Sequence, residues 1–364
     1  MSLKSKILKE LVIGYLFPWQ RRKRKRQIQK AAVLTLGGAA TLMVARSVIQ
    51  KINEYDVRNK SVLITGGSRG LGLELAREFA RQGAHITICA RDAEELNKAS
   101  NILSDEGYSV LALTCDLTDR QQVENLIAAV NKRFGRVDVL VNNAGMISVG
   151  PVESMTVEDF EESMQVNYFA ALYTILAVLP DMQARREGHV INITSIGGKI
   201  SIPHLLPYSA SKFALTGLSK GLHSELQKDG ISVTTVYPGL MRTGSPRNAT
   251  FKGQHRAEYA WFSIGDSLPF TSMNAERAAR EIVSACKNRT GEVVLSFQAQ
   301  LADKVHANFP EITSNLLGFI NGFLPAPKGD SKKSYSGHES ESEWSPSWIT
   351  QLNEEAANRN NQVQ

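Results

Sequence analysis

From Ser61 onward the chain alternates two periodicities that few architectures accept. Seven short runs are apolar or β-branched almost throughout: "SVLIT", "HITICA", "VLALTC", "VDVLV", "HVINIT", "SVTTVY" and "EVVLSF". Between them lie amphipathic stretches such as "LGLELAREFARQ", "RQQVENLIAAVNKRF" and "AERAAREIVSACKNR". A strand that is apolar on both faces must be covered on both faces, and helices between strands supply that cover. The rhythm predicts an α/β fold with a doubly wound, seven-stranded, mostly parallel sheet. Right-handed crossovers then put the ligand site at the C-terminal ends of the strands.

The first strand runs into "TGGSRGLG", where Gly66, Gly70 and Gly72 have the spacing G-x-x-x-G-x-G. Glycine lets the backbone turn sharply and lets a pyrophosphate approach the amides. The following helix N-terminus adds N–H donors and a positive dipole end. The turn is therefore expected to cradle the phosphates of a dinucleotide. After the second strand, "ICARDAEEL" places Ala90 and Arg91 where an NAD enzyme carries an acid for the ribose hydroxyls. An arginine suits a 2′-phosphate, and Arg69 inside the turn adds a second cation. The expected cofactor is NADP(H).

The motifs "TGGSRGLG", "NNAG", "YSASK" and "PGLMRT", in this order, resemble those of the short-chain dehydrogenase/reductase family, short single-domain branch, from about Lys60 to about Phe297. The resemblance implies a Rossmann fold and a catalytic tetrad of Asn167, Ser195, Tyr208 and Lys212. Tyr208 matches the acid/base tyrosine and Ser195 the serine that hydrogen-bonds the substrate oxygen. Asn167 matches the asparagine that holds a water for proton relay. Lys212, one helical turn after Tyr208, would bind the nicotinamide ribose and lower the tyrosine pKa through its ammonium. The cofactor contacts implied by the same match are Gly66, Ser68, Arg69, Gly70, Leu71, Gly72, Arg91, Asp116, Leu117, Asn143, Ala144, Gly145, Tyr208, Lys212, Pro238, Gly239 and Thr243. Asp116 also reads as a plain N-cap and "NNAG" as a plain turn, whereas the resemblance implies that Asn142 and Asn143 lie near the cofactor and brace the central sheet.

The segment after Thr243 reads as a substrate-covering loop. Its Phe251, Tyr259, Trp261 and Phe262 form either an apolar wall for a hydrophobic carbonyl or alcohol, or a closure of the core or of a subunit contact. No metal site is expected, because Cys89, Cys115 and Cys286 are scattered without ligand spacing and read as reduced thiols.

The net charge of +6 is unevenly placed. Residues 1–60 carry 14 Lys/Arg against 3 Asp/Glu, so the remainder is net negative. That excludes the basic folded surface of a nucleic-acid-binding domain. The arm, residues 1–59, is expected to be a helical extension that joins Arg21–Arg26 to an uncharged run from Ala31 to Ala45. Fifteen residues reach about 22 Å as a helix, short of a hydrocarbon core of roughly 30 Å. Shallow attachment to the cytoplasmic face of a membrane is the expectation. A helix packed on another subunit or on the enzyme's own surface is the alternative.

The expected organisation is the arm at 1–59, a catalytic domain at 60–310, an apolar segment at 311–327 and a disordered tail at 328–364, rich in Ser, Gly, Pro and charge. Within that tail "WITQLNEEAANRN" can form a short helix. The function expected is NADP(H)-dependent interconversion of a ketone or aldehyde and an alcohol, in a homo-oligomer as is common in the family. The rival reading is a non-catalytic NADP-binding scaffold or sensor of the same fold.

Overall fold

The computed structural model describes residues 54–268, 272–327, 332–342, 345 and 350–362. The arm expectations for residues 1–53, and Trp344 and Trp348, fall outside these. The body starts slightly earlier than the sequence suggests. Tyr55 and Val57 are buried in the core, and the Tyr55 amide donates to the Lys287 carbonyl over 2.7 Å.

In chain order the elements are β1 (Ser61–Thr65), α1 (Gly70–Arg81), β2 (His85–Ala90), α2 (Ala93–Asp105), β3 (Val110–Thr114), α3 (Arg120–Phe134), β4 (Val139–Asn142) and β5 (Ser148–Val149). There follow α4 (Val157–Met164), α5 (Ala170–Arg185), β6 (Gly188–Ile193), α6 (Leu206–Leu226), β7 (Ile231–Tyr237), β8 (Leu240–Arg242), β9 (Thr250–Phe251) and α7 (His255–Ser267). The last are β10 (Ser272–Asn274), α8 (Ala275–Lys287), β11 (Glu292–Val294), α9 (Phe297–Asn308), α10 (Pro310–Asn321), β12 (Tyr335–Ser336) and α11 (Gln351–Arg359).

Seven strands form one parallel sheet in the order β11-β7-β6-β4-β1-β2-β3. The order reverses between β1 and β4, so the crevice expected of a doubly wound sheet opens beside Thr65 and Asn142. One hydrophobic cluster covers one face, with Phe79, Leu103 and Ile282 among its members. A second covers the other face with Leu126, Ile175 and Met182. All three cysteines are buried and free. Several helices start on side-chain caps; at α2 Asp92 accepts from the Glu95 amide, and at α8 Asn274 accepts from those of Glu276 and Arg277.

The continuous helical stretch Val157–Arg185 is long and apolar, but it packs on the sheet and buries Asn167, Ile175, Val178 and Met182. Helices α9 and α10 do the opposite. Phe297, Phe309, Ile312, Leu316, Phe319 and Phe323 are exposed there. Because α10 begins at Pro310, the expected boundary at 310–311 falls at the start of a helix.

The tail departs most from its expectation. Its described part is placed against the body: β12 pairs antiparallel with β9, and α11 buries Asn353, Ala356 and Ala357. Disorder is the inference from low apolar content. Here, small side chains and amide groups do the docking instead.

Candidate active site

The crevice is built from strand ends. At the end of β1, the Thr65 hydroxyl accepts from the Asn143 and Ala144 amides, each at 3.0 Å. Asn143 returns the contact, its Nδ2 donating to the Thr65 and Gly66 carbonyls at 3.0 Å. Thr65 thus ties "TGG" to "NNAG", a role sequence reasoning missed although Thr65 directly precedes Gly66.

The glycines of the turn are required by geometry. Gly66 and Gly70 have φ of +62° and +58°, the left-handed region that disfavours a side chain. At Gly72 a Cβ would collide with the Gly66 carbonyl oxygen and stand 2.6 Å from Asn143 Nδ2. Helix α1 therefore presses against the turn, with its first amides aimed into the crevice. This cradle fits the pyrophosphate of a nicotinamide dinucleotide.

The two cations expected to choose the cofactor differ in setting. Arg91 is exposed just beyond β2. Arg69 is half-buried and already engaged, with Nη1 2.5 Å from Glu95 Oε1 and 2.9 Å from Asn248 Oδ1. Ser68 Oγ also reaches Glu95, at 3.3 Å. Asp116 makes a local turn, its Oδ1 accepting from the Thr118 amide and hydroxyl. The N-cap of α3 is Asp119 instead, and Leu117 is buried in the core. Pro238 accepts from the Ile196 amide at 2.8 Å. Gly239 is packed close to Ser296, and Thr243 is buried facing Gly70 across the crevice. Leu71 is buried in the first turn of α1.

The four expected catalytic side chains converge from three elements. Asn167 sits in a π-helical turn, Gln165–Phe169, between α4 and α5. Such turns are rare and re-aim one side chain. The Asn167 Oδ1 accepts from the Met146 amide at 2.9 Å, and Nδ2 donates to the Met146 carbonyl at 3.1 Å and Ser211 Oγ at 2.9 Å. A Cβ on Gly145 would come within 2.9 Å of Asn167 Oδ1 and 3.3 Å of Lys212 Nζ. The glycine of "NNAG" is what lets these groups meet.

Ser195 follows β6 and accepts from the Gly197 amide at 3.0 Å. It also hydrogen-bonds Tyr208. Lys212 lies on the same face of α6, with Nζ 5.8 Å from the centre of the Tyr208 ring. That ammonium is buried and donates to the Ile193 carbonyl at the end of β6, at 3.0 Å.

The electrostatics correct one expectation. Burial pushes the Tyr208 phenol up to about 12, and the nearby Asp266 adds to this while the Ser195 hydrogen bond opposes it. Lys212 does not lower it here. Its own ammonium is penalised by burial, which brings its pKa down to about 8. Asp266, on α7, is buried too, and desolvation lifts its carboxyl to about 8. Sequence reasoning missed this group; nothing in the local pattern marks it.

Of the two alternatives for the aromatic segment, closure of the core is what the buried side chains make. Phe251, Tyr259 and Phe262 close a third hydrophobic cluster, and Tyr208 and Trp261 pack against it. The wall is thus core on one side and borders Tyr208 on the other. Behind it a buried polar group was not legible: His204 Nδ1 and Trp261 Nε1 both bind the Glu258 carboxylate, at 2.8 and 2.6 Å.

Known proteins bear on this geometry. Residues 60–252 match the sequence profile described as short chain dehydrogenase. The zebrafish (Danio rerio) dehydrogenase/reductase SDR family member 7B is 32% identical over 266 residues, covering 71% of this chain and 84% of that protein. A fatty acyl-CoA reductase of Acinetobacter baylyi is 34% identical over 280 residues, covering 76% of this chain and 90% of that protein. Among solved structures, a variant of the actinorhodin polyketide ketoreductase with NADPH superposes with a TM-score of 0.59 at 31% identity, covering 65% of this chain and 95% of that one.

Proposed function

We propose that this chain, which belongs to the short-chain dehydrogenase family, is an NADP(H)-dependent oxidoreductase that interconverts an apolar ketone or aldehyde and its alcohol. The observation that carries the reading is the convergence of Ser195, Tyr208 and Lys212 with Asn167 beside Gly145, at the strand ends that also carry the glycine cradle.

A nicotinamide held in this crevice supplies or accepts the hydride. The chain's own residues manage the oxygen. Ser195 hydrogen-bonds the substrate oxygen and Tyr208 gives it a proton as negative charge develops there. Burial raises its pKa to about 12, so Tyr208 is a phenol throughout the neutral range and holds the proton it would give. Lys212 contributes positive charge beside the phenol while it holds its proton, below about pH 8. Asn167 fixes Met146 and the loop after β4; one Oδ1 lone pair remains for a water of the proton path.

Arg91 and Arg69 support a preference for NADP(H), Arg69 sharing its guanidinium with Glu95. The wall of Phe251, Phe262 and Trp261 beside Tyr208 supports an apolar substrate. Leu176 on α5 and Phe213 on α6 are exposed apolar side chains on the two long helices, which supports a homo-oligomer formed there. The exposed apolar side chains of α9 and α10, with the basic arm, support residence on the cytoplasmic face of a membrane. Replacing Tyr208 by Phe tests the enzymatic reading: turnover should vanish with NADPH affinity kept, and full activity would sink it.

A further inference from the structure

The cradle is not open in this structure; residues 360–362 of the chain lie in it. The Gly70 amide, the first donor of α1, is hydrogen-bonded at 2.9 Å to the Asn360 carbonyl. Asn361 Nδ2 donates to the Ser68 and Glu95 carbonyls, at 3.0 and 3.1 Å. Gln362 Nε2 is 2.7 Å from where a Cβ on Gly70 would stand, and its Oε1 accepts from Asn248. Asn248 in turn holds Arg69. Helix α11 anchors this arrangement: Asn353 Oδ1 accepts from the Gly244 amide at 3.0 Å, Ala357 sits against Gly244, and Glu354 pairs with Arg247.

We propose that residues 350–362 are an intramolecular competitor of the dinucleotide: the tail occupies the pyrophosphate cradle and leaves it when cofactor binds. The inference rests on the cofactor reading above. A carbonyl oxygen on the Gly70 amide makes the contact that a phosphate oxygen makes at a helix N-terminus, but without the negative charge that the helix dipole favours. A pyrophosphate is therefore the better ligand for the same donors. The docked state also carries a defect: both polar atoms of the Asn360 side chain are buried with no hydrogen-bond partner among the described residues. An unsatisfied amide weakens the contact that must be given up. If the tail is docked in about nine molecules of ten, apparent affinity for the cofactor falls about tenfold.

The test uses the full chain and NADPH itself. Hydrogen exchange across 350–362 is measured with and without saturating NADPH, and NADPH fluorescence titrations compare the native chain with Ala357→Arg, which cannot seat against Gly244. The expected result is faster exchange of the tail amides on NADPH binding, with affinity about tenfold tighter in the variant. A tail that stays equally protected, or gains protection, when NADPH binds would overturn the competitor and leave the cofactor reading standing. If neither chain binds NADPH, both fall. The exchange arm decides on the unmodified protein should Ala357→Arg fail to fold.

Discussion

Two corners of one crevice solve the same problem differently. At the proposed catalytic corner the candidate side chains are held by the sheet and its helices: Asn167 by Met146 and Ser211, Lys212 by the Ile193 carbonyl, Ser195 by the Gly197 amide. At the cradle corner the first amide of α1, that of Gly70, is satisfied by a segment nearly 300 residues away in sequence. The first corner is preorganised, which is what a proton-transfer site requires. The second, on the proposal above, is exchangeable, which suits a ligand that must enter and leave. Burial at the catalytic corner also has a price in charge, seen in the raised Tyr208 and lowered Lys212.

The sharpest way to break this contrast is at Tyr208. Tyr208→Phe removes the proton donor and leaves the fold of α6, so turnover should fall by about a thousandfold, within the usual range for general acid catalysis. NADPH affinity should change little. A comparable loss of binding would mean that the two corners are not separable.

Gly72→Ala attacks the other corner. The added Cβ has no room beside the Gly66 carbonyl and Asn143, so the turn must open. NADPH affinity should drop by more than about tenfold, and stability by about 1–3 kcal/mol from overpacking. Titration and thermal melts of the same sample check both.

The pH profile sharpens the electrostatic half. Lys212 loses its proton near pH 8 in the folded chain, against 10.5 for the free group. Reduction rates should therefore decline about tenfold per unit above that point, with Tyr208 still protonated. The stability sign is the reverse. Between pH 8 and 10.5 the unfolded chain holds a proton that the folded chain has lost, so the cost of burying Lys212 is full below pH 8 and eases as pH rises. A kcat profile flat from pH 7 to 10 would contradict this role for the lysine.

Arg91→Glu should give a smaller effect, about a tenfold loss in NADPH over NADH preference, since one exposed cation contributes only part of phosphate recognition. The smallest effect on ligand binding is expected at Asn142, whose side chain is buried against Thr174 and Asn192. Its side chain links Thr174 and Asn192, and Asn192 reaches Ser219, all buried across β4 and β6. Asn142→Ala should lower stability by about 1–3 kcal/mol by leaving partners unpaired, with both corners' ligand affinities nearly unchanged.

Much of this was legible because it is written in local pattern. The predicted helix "RQQVENLIAAVNKRF" is α3 residue for residue, and all seven predicted strands join the one sheet. The glycine turn and the convergence of Asn167, Ser195, Tyr208 and Lys212 likewise come from short motifs placed after a strand or on a helix. What was not legible depends on partners distant in sequence. The π turn under Asn167, the pairing of Arg69 with Glu95, and the Glu258 group behind Trp261 have no periodic signature. The pKa of Tyr208 ran against expectation because burial and the Asp266 carboxyl outweigh the Ser195 hydrogen bond. The tail was misjudged because composition counts apolar residues, whereas Ala357 docks by fitting beside a glycine and Asn353, Asn361 and Gln362 by meeting backbone and amide groups.

The most direct test of the central claim is a single-turnover transfer of deuterium from NADPH deuterated at the nicotinamide C4 to an apolar ketone, followed by mass spectrometry of the alcohol. The account predicts deuterium on the carbinol carbon with the native chain and only a trace, about a thousandfold slower, with Tyr208→Phe. No transfer by folded protein that binds NADPH, across a panel of apolar ketones and aldehydes, would contradict it, as would equal transfer by the variant.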